Sequence, residues 1–129
     1  MMGPGLALEQ APPFSVPLRF FLTAPLFLLA AGLFAAWEPG WSAGYLVPAS
    51  LALTHLLTLG FLGTVMLGAM TQMLPVVAGA PVPSVRLVSA LSHACLVLGT
   101  VLLAWGLGAG EPMALEAAGL LLGLGLSVF

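Results

Sequence analysis

Four long stretches of this sequence are almost free of charge, and they restrict the possible folds more than any other feature. Only 5% of the 129 residues are charged and 61% are hydrophobic, whereas soluble domains carry about 25% charged residues. Such a chain has too few polar side chains to cover a folded surface in water, so a lipid bilayer must be its solvent. The sequence therefore predicts an all-α fold, a polytopic bundle of four transmembrane helices.

Charged residues, prolines and glycines bound the apolar stretches. We predict helices over about residues 20–37, 46–74, 85–107 and 113–129. Residues 1–18 form a proline-rich tail without the basic start of a signal peptide, and residues 19–129 form one transmembrane domain. Ser84 is expected to cap the third helix. The last stretch is short for a span and still apolar at Phe129. We therefore expect an N-terminal fragment, truncated within or at the end of its fourth helix, and the alternative is a complete four-helix protein whose carboxylate lies at the far interface.

The distribution of charge predicts how the bundle sits in its membrane. Arg19 precedes the first predicted helix and Arg86 the third, whereas Glu38 and Glu111 follow those two helices. Because cytoplasmic loops carry the excess of basic residues, this pattern predicts a cytoplasmic N-terminus in a multi-pass protein of the inner (plasma) membrane. The net charge of -2 excludes a basic surface for nucleic acid.

Several chemistries are excluded by missing motifs. Cys95 is the only cysteine, so no internal disulfide can form, and its position inside an apolar stretch predicts a small packing residue. The sequence contains no glycine-rich phosphate loop, no Cys-x-x-Cys-His motif and no histidine pair at the helical spacing that zinc or copper would need.

His55 is the strongest candidate for function, because ionisable groups are costly in hydrocarbon and are kept there for a reason. No acid or base lies near it in sequence, so its most useful role is that of a neutral ligand, and haem iron suits a buried imidazole. We expect Thr54, Thr58 or a carbonyl of another helix to hold the second ring nitrogen. The alternative is that His55 only donates a hydrogen bond to a neighbouring helix.

His93, in the third predicted helix, is the second candidate for cofactor binding. Helical rise places the two histidines about 12 Å apart in depth, so a sandwich of both around one upright haem is disfavoured. Each would pair more naturally with a helix outside this chain. Ser89 and Ser92 lie close to His93 in sequence, and they favour a structural or proton-relay role over ligation.

Two faces of the second predicted helix differ in side-chain size. Small residues recur every fourth position at Gly60, Thr64 and Gly68, which predicts close packing against another helix. A nearby apolar face, which suits either an ordinary bundle core or a large flat ligand, comprises His55, Leu59, Leu62, Met66, Met70 and Met73. Gln72 is expected at the interface, and Gly119 and Gly123 are expected to form a second close-packing pair.

Residues 19–33 and 54–79 resemble the first two helices of haem-copper oxidase subunit I and its relatives. These relatives include the nitric oxide reductase-like proteins and the divergent NnrS-type membrane proteins. The resemblance implies that His55 is an axial ligand of a b-type haem, and Pro75 and Gly79 match the end of that helix. Leu56 replaces the glycine that usually follows the histidine, and His93 has no counterpart in the oxidase pattern. The resemblance covers about half of the chain.

These features predict an integral membrane haem-binding protein for electron transfer or for chemistry of O2 or NO. Whether it is an enzyme stays open. The alternatives are a small transporter or channel-like protein with both histidines on a polar pathway, and a non-catalytic bundle that assembles with partners. The expected partners are the lipid bilayer and further transmembrane helices of the same or another chain, with a homo-oligomer left open.

Overall fold

The computed structural model describes residues 7–129. All regular secondary structure in this range is helical, and short loops connect the helices. The helices are α1 (Ser15–Trp37), α2 (Pro48–Ala78), α3 (Val85–Ala109) and α4 (Pro112–Val128), with short 3-10 turns at Leu8–Gln10 and Pro39–Ala43. The helices α1, α2 and α3 are long and apolar enough to cross a membrane, whereas the apolar α4 is shorter, at 17 residues. The chain is therefore an all-α membrane protein.

Helix α1 begins at Ser15, a few residues before the predicted start at residue 20. Val16 and Pro17 are buried in its first turn, where a proline is tolerated because its missing amide would have no intrahelical partner. The proline-rich tail is therefore shorter than the sequence suggested.

Helix α2 continues through Pro75 and ends at Ala78, rather than near residue 74. Gly79 then takes a left-handed conformation (φ 61°), and its amide hydrogen-bonds the Leu74 carbonyl. Ser84 was predicted to cap α3, but its side chain makes no capping hydrogen bond. Its own φ is 45°, and only its carbonyl takes part, accepting bonds from the amides of the first helical turn.

Helices α1 and α2 pack along the predicted stripe of small residues. A Cβ at Gly68 would lie 2.7 Å from Cβ of Phe20, and one at Gly60 would lie 2.6 Å from the ring of Phe27. Each phenylalanine thus rests on bare glycine backbone. The prediction that Gly60 and Gly68 face another helix is confirmed.

A π-helical segment, Leu56–Gly63, lies in the middle of α2, and the sequence analysis did not anticipate it. The buried positions Ala52, Leu56, Gly60 and Thr64 are four residues apart. In an α-helix each such step overshoots one turn by about 40°, so the stripe would rotate away from α1. The wider π turns take up this excess and keep the stripe on one face.

Helix α3 packs against α1, α2 and α4, while α4 packs on α3 alone among the described helices. Glycines again set the close approach, since Gly99 lies against Leu122, and Gly125 lies against Cys95. Cys95 is buried and acts as the small packing residue that was predicted. The predicted pair of Gly119 and Gly123 is wrong, because a Cβ at either position would meet nothing within 4 Å among the residues described.

Consecutive helices run antiparallel, which gives the bundle two chemically different ends. Arg19 and Arg86 lie near the N-terminal ends of α1 and α3, so we call this the arginine end. Glu38 and Glu111 lie at the opposite end, the glutamate end. The predicted methionine face of α2 is not a bundle core, because Met66, Met70 and Met73 are exposed. Gln72 is also exposed.

Candidate functional site

His55 is the last residue of the first α-helical part of α2 and directly precedes the π segment. Its side chain is half-buried. The following residue, Leu56, packs in a cluster with Phe27 and Ala31 of α1. His55 therefore lies on the glutamate-end side of the contact between Gly60 and Phe27.

The hydrogen bonding of His55 determines which ring nitrogen can bind a ligand. Nδ1 lies 2.6 Å from the carbonyl oxygen of Leu51, one turn earlier in the same helix. A carbonyl can only accept, so Nδ1 carries the proton and donates it. In the neutral ring Nε2 then holds the lone pair, and it has no hydrogen-bond partner among residues 7–129.

The sequence predicted that Thr54 or Thr58 could bond the ring of His55, but neither hydroxyl does so. The hydroxyls of Thr54 and Thr58 donate to carbonyls of their own helix, those of Ser50 and Thr54. The carbonyl that accepts from Nδ1 of His55 also does not come from another helix, because it belongs to Leu51 of α2. The Leu51 carbonyl, one turn earlier, is already held in place by the same helix. A hydrogen bond to it is therefore favoured, because it needs no ordering of a second helix.

His93 has its partner on a different helix. Its Nε2 lies 2.9 Å from Oγ1 of Thr23 in α1, and the Thr23 hydroxyl donates to the Arg19 carbonyl at 2.7 Å. Since that hydroxyl has one proton, it accepts from Nε2–H of His93. The ring also meets Phe20 edge to face, with centroids 4.9 Å apart. His93 thus links α3 to the first turns of α1.

The predicted local partners of His93 bind elsewhere or have no partner. Ser89 donates to the Arg86 carbonyl. Three hydroxyls are buried without a hydrogen-bond partner in the described part of the chain: those of Thr64, Ser92 and Thr100. Buried hydroxyls usually pair with protein or water, so these three are places inside the bundle where a bound water or another polar group would find a partner.

The two histidines lie at different depths. His93 is level with Thr23, whereas His55 lies beside the cluster that includes Ala31. Thr23 and Ala31 are separated by about 12 Å along α1. The two axial ligands of a haem bind the same iron from opposite sides and so lie at a similar depth. The difference in depth therefore argues against His55 and His93 binding one iron together. In the described residues no group of three or more histidine, cysteine or acidic side chains could hold a metal ion.

Comparison with protein-family models, with curated proteins and with solved structures finds no match to this chain. The resemblance to haem-copper oxidase subunit I therefore rests on the residues quoted above. The roles of His55 and His93 in binding a cofactor stay predictions. The sequence analysis missed Thr23, Phe20 and Leu51, since only the packing of α3 on α1 and the local turn of α2 bring them to the histidines.

The bond between Thr23 and His93 is expected to contribute measurably to stability. Thr23→Val keeps the shape of the side chain but leaves Nε2–H of His93 without an acceptor. We expect a loss of about 1 kcal/mol in the free energy of unfolding, which is typical of interhelical hydrogen bonds in membranes. The measurement is unfolding by sodium dodecyl sulfate in mixed micelles, followed by circular dichroism.

Thr58→Val is the matched control, because the exposed Thr58 hydroxyl bonds only within its own helix. We expect its unfolding free energy to change by less than about 0.5 kcal/mol. Equal losses in the two variants would show that the link between α1 and α3 contributes nothing.

Proposed function

We propose that this chain is an integral membrane haem-binding protein related to haem-copper oxidase subunit I. In this proposal Nε2 of His55 is an axial ligand of a b-type haem. The second axial ligand comes from another helix of the same or another chain, because His93 lies at a different depth. Bound haem would supply a one-electron centre for electron transfer or for chemistry of O2 or NO.

One observation carries the proposal, namely the hydrogen bond from Nδ1–H of His55 to the Leu51 carbonyl. Histidines that bind metals almost always donate their other ring N–H to such an acceptor, which fixes the tautomer and the ring orientation. The bond leaves Nε2 as the donor atom for iron. The adjoining π segment adds support, since single-turn π distortions occur frequently at functional sites.

The residues around His55 fit a large apolar group on one side of α2. Leu62 and Met66 are more than half exposed on the face predicted to follow His55, while Leu59 of the same face packs against the cluster of Phe20, Leu67 and Leu96. The described helices therefore cover only part of that face. The residues present thus offer one ligand and an apolar flank, and not a complete haem pocket. This is why the proposal requires a further helix.

The proposal is tested by titrating the purified protein in detergent micelles with haem b. We expect saturable binding of one haem per chain, read as an intense Soret band that differs from that of haem in empty micelles. A titration that shows only partition into the micelles, with the protein folded by circular dichroism, would contradict the proposal.

We further propose that the arginine end faces the cytoplasm, in the inner (plasma) membrane, with four transmembrane helices. Support comes from Arg19 and Arg86 sharing one end of the bundle, while Glu38 and Glu111 share the other. In this orientation α4 also spans, and His55 lies in the outer half of the membrane.

The orientation predicts which engineered cysteines are labelled in intact cells. Ser42 at the glutamate end and Ser84 at the arginine end are both exposed, whereas Cys95 is buried and is replaced by alanine as background. An impermeant maleimide should label Ser42→Cys and not Ser84→Cys, while both react after lysis. Labelling of Ser84→Cys alone in intact cells would reverse the assignment.

The buried hydroxyls without partners support a second candidate, a small transporter or channel-like protein. Three buried hydroxyls and the pair of Thr23 and His93 are arranged between the arginine end and the level of His55. Proton flux into liposomes distinguishes the candidates, since this one predicts flux in the absence of haem that His93→Ala reduces.

A further inference from the structure

A cleft of about 630 Å³ opens at the glutamate end of the bundle. It lies between the C-terminal ends of α1 and α3 and the N-terminal end of α2. Its walls are mostly apolar and include Phe34, Trp37, Val47, Ala104 and Trp105, with Glu38 on the rim. Phe34 and Ala104 also pack against the cluster of Phe27, Ala31 and Leu56 next to His55. No residue of the cleft hydrogen-bonds the His55 ring, so binding in the cleft does not rest on the proposed haem function.

The charges around the cleft are negative. Glu38 is the only charged residue that lines it, and its Oε1 accepts a hydrogen bond of 3.0 Å from the Gly40 amide. This bond orders the carboxylate at the rim and leaves its second oxygen for another donor. Glu111 lies at the same end, whereas Arg19 and Arg86 lie at the far end of the bundle.

Helix ends add to this field. Two helix C-termini, those of α1 and α3, border the cleft, against one N-terminus, that of α2. C-termini carry the negative end of the helix dipole, so the balance of the three also favours a cation.

Aromatic rings supply the second element of cation recognition. Trp37 and Trp105 come from two different helices, line the same cleft and are both largely exposed, at 90% and 58%. Tryptophan faces attract organic cations, most strongly when a quaternary or bulky ammonium is poorly hydrated. An apolar wall beside them, with Phe34 and Ala104, suits a hydrocarbon body attached to the charge.

We propose that this cleft binds a lipophilic organic cation, an amine or quaternary ammonium with an apolar body. The cation lies against the Glu38 carboxylate and the two indoles, and its apolar part lies along the wall between α1 and α3. A phospholipid headgroup fits less well, because its phosphate would meet the Glu38 carboxylate without a basic partner in the described structure of this end.

The test uses tetraphenylphosphonium as the probe, with the full chain in phosphatidylcholine nanodiscs and binding followed by equilibrium dialysis. Empty nanodiscs report partition into lipid. We expect saturable binding of one cation per chain. Glu38→Gln should weaken it about tenfold, and Trp105→Leu about fivefold. Glu9→Gln, an exposed acid at the arginine end, is the matched control and should bind like the wild type.

Tetraphenylborate has the same shape with the opposite charge and should show partition only. The proposal is overturned if the borate binds equally well, or if Glu38→Gln and Glu9→Gln bind alike. It is also overturned if the wild-type protein shows no saturable binding of the cation. In that case phospholipid is the competing occupant of the cleft. Lipid that co-purifies with the wild type and not with Glu38→Gln would identify that occupant. Because Glu38 and Trp105 are exposed, both variants should fold, which circular dichroism checks.

Discussion

Replacing His55 by alanine should abolish saturable haem binding, whereas replacing His93 by alanine should leave most of it. His55 offers an Nε2 lone pair with its tautomer fixed by the Leu51 carbonyl, and alanine removes the only ligand that the proposal assigns among residues 7–129. His93 instead gives its Nε2–H to Thr23. The measurement is the haem titration of both variants, together with their reduced-minus-oxidised spectra.

The two variants separate the haem proposal from a general loss of structure. His93→Ala breaks the link between α3 and α1, so it should destabilise the bundle at least as much as His55→Ala, whose ring bonds only within α2. Haem loss that follows stability rather than the position of the histidine would point to a structural effect. A normal haem spectrum in His55→Ala would exclude the ligand role, and loss in His93→Ala alone would assign the ligand to the other histidine.

Gly68→Ala should destabilise the bundle by about 1–3 kcal/mol through overpacking. The new methyl group would lie 2.7 Å from Cβ of Phe20. A Cβ atom is fixed by its backbone, so relief requires α1 and α2 to move apart rather than one side chain to rotate. Phe20 is fully buried in the cluster with Leu67 and Leu96, and that movement would loosen the whole cluster.

Gly119→Ala is the matched control for this prediction. A Cβ at Gly119 meets nothing within 4 Å in the described structure, and alanine is a better helix former than glycine by up to about 1 kcal/mol. We therefore expect the two substitutions to differ in sign, with Gly119→Ala neutral or slightly stabilising. Unfolding in mixed micelles measures both, and equal effects would show that the contact between Gly68 and Phe20 is not a close one in solution.

The pattern of residues in the chain already determines the helices of this protein. Apolar length sets how many segments must be helical in a membrane, because every backbone amide needs an internal partner there. Helix ends follow local chemistry, as at Gly79 and Gly110, where a left-handed residue ends a helix. The spacing of Gly60 and Gly68 also predicts a contact, since small residues repeated on one face favour close packing.

The sequence was less informative where a choice depends on a neighbouring helix. Gly119 and Gly123 have the same spacing as many packed pairs, yet Gly125 is the glycine of α4 that meets Cys95. The rotation of α4 on α3 decides which face is covered, and the one charged residue of α4, the exposed Glu116, lies on the uncovered face with Gly119 and Gly123. In the same way, the methionine face of α2 is exposed because the stripe on the other side takes the contact with α1.

The sequence by itself determined that this is a helical membrane protein with a histidine in each of two helices and an acidic and a basic end. Only the tertiary structure decided the partner of His93, whereas His55 bonds within its own helix. The docking of α3 on α1 gives Nε2–H of His93 to Thr23, and the local turn of α2 gives Nδ1–H of His55 to Leu51. The physical reason is how far apart in the sequence the interacting residues lie. Hydrophobicity and backbone propensity act within a segment, whereas a hydrogen bond of 2.9 Å between helices depends on the rotation and height of two packed helices.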